Sequence, residues 1–527
     1  MRPATICAVA AFVLGALLDT PPARAQFVCV DASNSTGGAG AGSAGSTACG
    51  TGSLAGGASS SAYGASSNAF GDSSLAVGAL SQATNVETTA VGYGAAAAGR
   101  YASATGAQSA ASGYESSASG YASNASGDFA LAAGANSKAA GWMSTAVGTS
   151  SKASADYATA SGGWSTATGM SSSAYGTSSY AAGDSSLAVG AWAVANAGST
   201  NGTAVGSNSV VTGANSTAVG ASNSVTGNNS GAFGTGQVVR GNGSFAIGDP
   251  NTLNGNGSFV LGDNNKINGT NQTGWGDNVN TVGSNNAVGA TASAAGSSVF
   301  GSGNAVNAPN ALVMSNAATV TGSGAIAIGN TVSVTGANAV AVGNNTSAGF
   351  ANSAAFGNGA RVTRANQQTF GTAGNTYTMA GITSSASKAA QSGATQLVTS
   401  DGAGNLATTS LGALGIASTA DLGAINGQLG TINGQLATIN GRIDDLNSRT
   451  SKATSGVAMA FAMAGVPTLL PNESFAIAMN YGTFERANGL AFNAALRLNG
   501  NMQFNGGIGY GPDEKVAGGR VGLRMGW

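Results

Sequence analysis

Along the last fifty-odd residues, apolar and polar positions alternate in twos. Phe475, Ile477, Met479 and Tyr481 share one parity, and Ala476, Ala478, Asn480 and Gly482 share the other. The rhythm returns with Leu490, Phe492, Leu496 and Leu498, then with Met502, Phe504, Ile508 and Tyr510, and finally with Val521, Leu523, Met525 and Trp527. Small or polar residues oppose each set. Runs of about ten residues at period two predict transmembrane β-barrel strands, with an apolar face to lipid and a small or polar face to a lumen. Turns are predicted at Glu485-Arg486-Ala487-Asn488-Gly489, at Asn499-Gly500-Asn501 and at Gly511-Pro512-Asp513-Glu514. The apolar parity slips between Val516 and Val521, which predicts a bulge near Gly518-Gly519. Four strands cannot close a membrane barrel, since the smallest has about eight, and lipid does not tolerate an open sheet edge. The pattern therefore demands strands from other copies of the chain, or a place outside the membrane.

Upstream the period changes. Leu422, Ile425, Leu429, Ile432, Leu436, Ile439, Ile443 and Leu446 are separated by steps of three and four without exception. This is a heptad repeat with Leu422, Leu429, Leu436 and Ile443 at a, and it predicts a left-handed coiled coil. Leucine at a with isoleucine at d points to three or four strands. Gly427, Gly434 and Gly441 fall at the outward f position, each costing about 1 kcal/mol relative to alanine, so this helix should depend on its partners. Ser455 to Gly465 is small and helical in composition, suited to threading a pore lined by alanine, glycine and asparagine. Pro467 and Pro471 then turn the chain into the first strand. Three or four copies would bring twelve or sixteen strands.

From Gly64 to Gly371 the chain carries a glycine beat of seven. The apolar residues double it to fourteen: Ala204-Val205-Gly206, Ala218-Val219-Gly220 and Ala246-Ile247-Gly248 share one phase, and Val211-Thr212-Gly213 and Val225-Thr226-Gly227 fill the half-step. Each unit reads as two very short strands closed by glycine turns, and such units stack into a parallel β-roll of some twenty coils. A disordered chain needs no such register.

Composition narrows the function. The 527 residues include 86 glycines, 7% charged residues and no histidine, with 18 basic against 19 acidic side chains. The formal charge of −1 gives no pull towards nucleic acid. No nucleophile, base or metal cluster stands out, so neither an enzyme nor a cofactor is expected. The Gly-Asp pairs at Asp249, Asp263 and Asp277 lack the dense repetition of calcium-binding rolls. Residues 1–25 resemble a secretory signal, with Arg2, an apolar run from Ala4 to Leu18, and Ala23-Arg24-Ala25 before a cleavage expected between Ala25 and Gln26. Cys29 and Cys49 could form one disulfide or cross-link copies.

Taken in order, the head repeats such as Ser216-Thr217-Ala218-Val219-Gly220, the neck-like Thr376 to Ile382, the Leu/Ile heptads and the four strands ending in Trp527 resemble the YadA-like trimeric autotransporter adhesins. The resemblance implies a homotrimer displayed from the bacterial outer membrane. A left-handed parallel β-roll head would occupy 60–371, after an N-terminal Gly/Ser/Ala-rich segment at 26–59. A neck at 372–420, a trimeric stalk at 421–450, a pore helix at 451–470 and a twelve-stranded barrel at 471–527 would follow. Phe475, Ile477, Met479, Tyr481, Phe492, Leu496, Leu498, Phe504, Ile508, Tyr510, Leu523 and Met525 would face lipid. Trp527 would be the end read by the outer-membrane assembly machinery. The implied partners are further copies of the chain and a host extracellular-matrix or abiotic surface. The alternative is a structural coat or autoagglutination fibre with no specific ligand; a channel is disfavoured by a helix-filled lumen. The stalk is short, which would hold the head close to the membrane.

Overall fold

The computed structural model describes residues 27–29 and 37–527, so the expected signal segment and its cleavage point at Ala25 and Gln26 lie outside the described residues. The chain divides into two compact units, which meet between Tyr377 and Thr378.

The first unit is a parallel β-solenoid. Three-residue strands stack into a 24-stranded ladder and two-residue strands into a second ladder of 22. The repeat of fourteen sets the register: Ala218 pairs with Ala232, and Val225 with Val239. In most coils the second residue of the longer strand and the second of the shorter strand point inward and are buried, as Ala76 and Ala83 show. At the N-terminal end Phe27–Val28 pairs with Thr47 and Ala48. Next to it, Cys29 and Cys49 are joined in a disulfide with their Cα atoms 4.7 Å apart.

The glycine beat has two physical causes, where the sequence suggested one. Gly106, at the end of a longer strand, has φ 125°, a conformation that a side chain resists. Gly113, half a unit later, is not in that region; a Cβ there would lie 2.0 Å from the carbonyl oxygen of Gly127 in the next coil. The residue two places after most of these glycines adopts the left-handed conformation, as in Ser73 (φ 55°), Tyr101 (φ 63°) and Asn215 (φ 54°).

The beat also conceals an insertion. Gly262, Gly269, Gly276 and Gly283 keep perfect time, yet Phe259 pairs with Asn280 and Lys266 with Ala287, a step of 21 residues. One half-unit, from Gly269 to Trp275, is extruded as a loop, and its length of seven leaves the glycine spacing unchanged.

The second unit begins with exposed elements. Leu397–Ser400 pairs antiparallel with Leu406–Thr409. A 45-residue helix follows, Thr419–Met463, opened by a capping box in which Ser418 and Asp421 bond reciprocally. No residue between Val362 and Ser455 is buried. A chain that buries nothing gains little to offset its ordering entropy.

The helix ends at Met463, ahead of Gly465 and Pro467. Its last turns lie against an antiparallel sheet of Phe475–Phe484, Ala487–Asn499, Met502–Gly511 and Val516–Met525, paired in chain order. Two sequence expectations fail here. The first turn is only Glu485-Arg486, both at positive φ (45° and 69°), and Ala487 to Gly489 belong to the next strand; this is the two-residue turn that matches strand twist. The bulge expected near Gly518-Gly519 is absent, because the ladder from Gly511–Val516 to Met502–Met525 is unbroken. Val516 faces the sheet's inner side beside Gly511, which is why the apolar parity seemed to slip. The irregularity falls instead between Arg497 and Asn499.

Candidate functional site

Three surfaces carry the functional argument, and the terminal sheet is the first. Its outer face holds all twelve residues expected there, from Phe475 to Met525, at 42–69% exposure. Trp527 follows the last strand, fully exposed. The inner face is small. A Cβ on Gly482 would lie 2.5 Å from the carbonyl oxygen of Ala458, and one on Gly489 would lie 2.4 Å from the amide of Met459. Met459 and Met463 fill the space over Gly509, and Asn493 Nδ2 donates to the carbonyl of Ala462 at 3.4 Å. The helix backbone thus rests directly on glycines. Gly507, which parity alone placed in this packing surface, faces Asn493 instead, where a Cβ would lie 2.0 Å from Oδ1. Sequence reasoning missed Gly489 because the turn was read too long.

Several polar groups on the inner side find no hydrogen-bond partner among the described residues: Ser455 Oγ, Asn493 Oδ1 and Arg520 Nε. Arg497 is held by the carbonyls of Leu470 and Pro471, at 3.0 and 2.7 Å. The first and last strands are paired on one side only. No helix among the described residues is long and apolar enough to cross a membrane.

The second surface is the helix upstream. All eight heptad residues, Leu422 to Leu446, lie on this one helix and are 50–64% exposed. The apolar stripe is therefore formed and uncovered. The carboxyl of Asp421 is held below the usual aspartate range by its hydrogen bonds to the side chain and backbone of Ser418.

The third surface lies on the head and was not singled out from the sequence. Tyr101, Tyr114, Phe129, Trp142 and Tyr157 form a column at one corner of the solenoid, each ring edge-on to the next at centroid distances of 4.7–6.3 Å. The guanidinium of Arg100 sits 4.8 Å over the Tyr101 ring. Acidic side chains alternate with the rings: the amides of Tyr114, Trp142 and Met170 donate to Asp128, Asp156 and Asp184 in the following coil, at 2.8–2.9 Å. Glu115, hydrogen-bonded to Tyr114, raises that phenol above its usual range. In sequence these rings are spaced 13, 15, 13 and 15 residues apart, so no simple period displays them; folding brings the two neighbouring turn positions into one line.

A family model described as the YadA head domain repeat (2 copies) matches residues 111–137, 139–163, 156–179, 167–193, 197–223, 212–236 and 335–360. No curated protein matches the chain. The matches fall mostly on fourteen-residue coils; they leave out the equally regular coils before residue 111 and the stretch 237–334, which contains the two longest coils. Those repeats fall on the solenoid in the register described above, so this part of the chain is similar to the YadA head domain.

Proposed function

We propose that three copies of this chain form an outer-membrane autotransporter that displays its solenoid head on the cell surface as an adhesin. In this reading the heptad stripe from Leu422 to Leu446 is the core of a three-stranded stalk. Four strands from each copy close a twelve-stranded barrel, with Phe475 to Met525 facing lipid and Trp527 at the end read for insertion. The segment from Ser455 to Met463 threads the lumen from each copy, and residues 1–25 direct export and leave before Gln26.

The observation that carries the reading is the terminal sheet, whose outer face is apolar except for the Thr483–Asn488 pair beside the first turn and whose inner face is cut back to glycine where a helix backbone rests. Two open edges in such a sheet are not viable in lipid. Further copies would pair both edges and could supply partners for Ser455, Asn493 and Arg520. Gel migration of the membrane fraction tests this assembly. A trimer-sized band that survives detergent and disappears on boiling is expected; a monomer under both conditions would contradict it. Adhesion itself is tested by attachment of cells to matrix proteins and plastic with and without residues 60–371.

A further inference from the structure

We infer that the corner ridge from Tyr101 to Tyr157, with its interleaved carboxylates, is a docking strip for an extended arginine-rich polypeptide. This deepens the adhesin reading by naming the ligand's chemistry, and rests on it.

The charge on the ridge is not required by the fold. Asp128, Asp156 and Asp184 each accept one backbone N–H from the preceding coil. In the later coils Asn228, Asn242 and Asn256 accept the equivalent N–H from Ala214, Asn228 and Asn242 at 2.8–2.9 Å. A neutral amide therefore does the structural work, and the negative charge of the aspartates is surplus to it.

The aromatics are also placed against local preference. Tyr101, Phe129 and Tyr157 stand at φ 63°, 60° and 59°, a region that bulky residues avoid and asparagine tolerates. Asn201, Asn215 and Asn229 fill the matching positions in later coils. Unfavourable conformations that persist point to function. Here strained rings and surplus charge coincide on one corner; in the asparagine-rich coils that follow, no ring stands there at positive φ, and the one acidic residue among the described corner positions is Asp277, which accepts the Asn256 N–H at 2.8 Å.

The chain already shows what the ridge accepts. Arg100 seats its guanidinium on Tyr101, the planar stacking contact that distinguishes arginine from lysine. Along the same corner lie Asp72, Glu87, Glu115, Asp128, Asp156 and Asp184, with Arg100 as the one basic residue; Lys138 and Lys152 belong to the shorter strands instead. Spacing favours an extended chain. Aspartates two coils apart are separated by about 9.6 Å at about 4.8 Å per coil, close to the ~9.3 Å that three residues span in a polyproline II helix. Arginine at every third position would meet one carboxylate each and stack on the ring between.

The test uses the full-length chain purified in detergent and a fluorescein-labelled (Arg-Pro-Pro)5 peptide, read by anisotropy. Binding is expected to weaken as salt rises. The combined change Asp128→Asn, Asp156→Asn and Asp184→Asn should lower affinity at least tenfold with an unchanged melting curve, because asparagine keeps the backbone acceptor. Trp142→Ser with Tyr157→Ser should cause a loss of similar size, and a same-composition peptide with its arginines clustered should bind several-fold more weakly. The inference is overturned if the wild-type chain does not bind, if the asparagine variant binds equally, or if binding ignores salt. A neutral oligosaccharide retained by the asparagine variant and lost with the aromatic pair would likewise overturn it in favour of sugar. Cells that display the chain and adhere equally with either variant would refute the ridge while leaving adhesion intact. Displayed wild-type cells that do not adhere would refute the adhesin reading itself.

Discussion

Coils between Ala48 and Ala195 enclose alanine and serine, whereas those from Ala204 to Val362 enclose valine, leucine and isoleucine alongside alanine. Each replacement of alanine by valine buries about 1.6 kcal/mol more, at ~0.8 kcal/mol per methylene. The buried polar groups differ as well. In the early coils Ser81, Ser109 and Ser137 donate to glycine carbonyls of their own turn at 2.8 Å, and the Oγ atoms of Ser74, Ser116, Ser144, Ser172 and Ser186 have no partner among the described residues. In the later coils the hydroxyls of Ser216, Ser230 and Ser244 reach the next coil at 2.7–2.8 Å. An amide ladder through Asn251, Asn265, Asn286 and Asn304 is continuous, with side-chain bonds of 2.8–2.9 Å. Chain reversals follow suit, with serine and aromatics at the left-handed positions early and asparagine late. One backbone register thus supports two economies. The later coils spend their side chains on holding neighbours together, and the earlier coils leave the outer corner free for an exposed ridge.

That contrast can be broken most sharply in the core. Leu253→Ala or Ile267→Ala should cost about 2–5 kcal/mol, seen as early melting and fast hydrogen exchange in the surrounding coils. The early coils have no side chain whose truncation could do the same. A smaller effect follows from the ladder. Asn265→Leu strands the carbonyl of Gly283 and unpairs its neighbours, at about 1–3 kcal/mol per orphaned group; Ser137→Ala removes one local bond worth about 0.5–1.5 kcal/mol. Amide exchange that is equally slow in both halves of the unaltered head would contradict the comparison.

The parts legible in the sequence were those with a strict period. Fourteen-residue units, eight heptad residues and four alternating strands all leave one face regular, because each repeat buries the same positions as its neighbours. Illegible were the features that arise from stacking. The half-unit loop at Gly269–Trp275 hides because its length of seven equals the beat. The aromatic column hides because Tyr114 and Phe129 occupy adjacent turn positions and meet only across coils. Gly489 was read as part of a turn because Asn488-Gly489 is a strong turn pair, while the strand ladder, with Gly482 opposite, overrode it.

Two gentler perturbations sharpen the comparison. Trp192→Asn should stabilise the early coils by up to about 1 kcal/mol, since asparagine tolerates the left-handed backbone (φ 60°) that tryptophan resists, and it leaves the ring column intact; thermal melting reads the gain. The smallest effect lies outside the head. Asp421 titrates below its ordinary value of 3.8 in the folded helix, so its contribution to the capping box is complete above that pH and fades as pH falls below it. Circular dichroism should show slight fraying only at such acidity, and Asp421→Asn should abolish that pH dependence.

The central claim is that the four terminal strands hold the head on the cell. Deleting Ser474 to Trp527 and labelling intact cells for the head tests it most directly. The account predicts that surface label is lost, with the truncated chain retained inside or released to the medium. Undiminished surface label on cells carrying the deletion would contradict it.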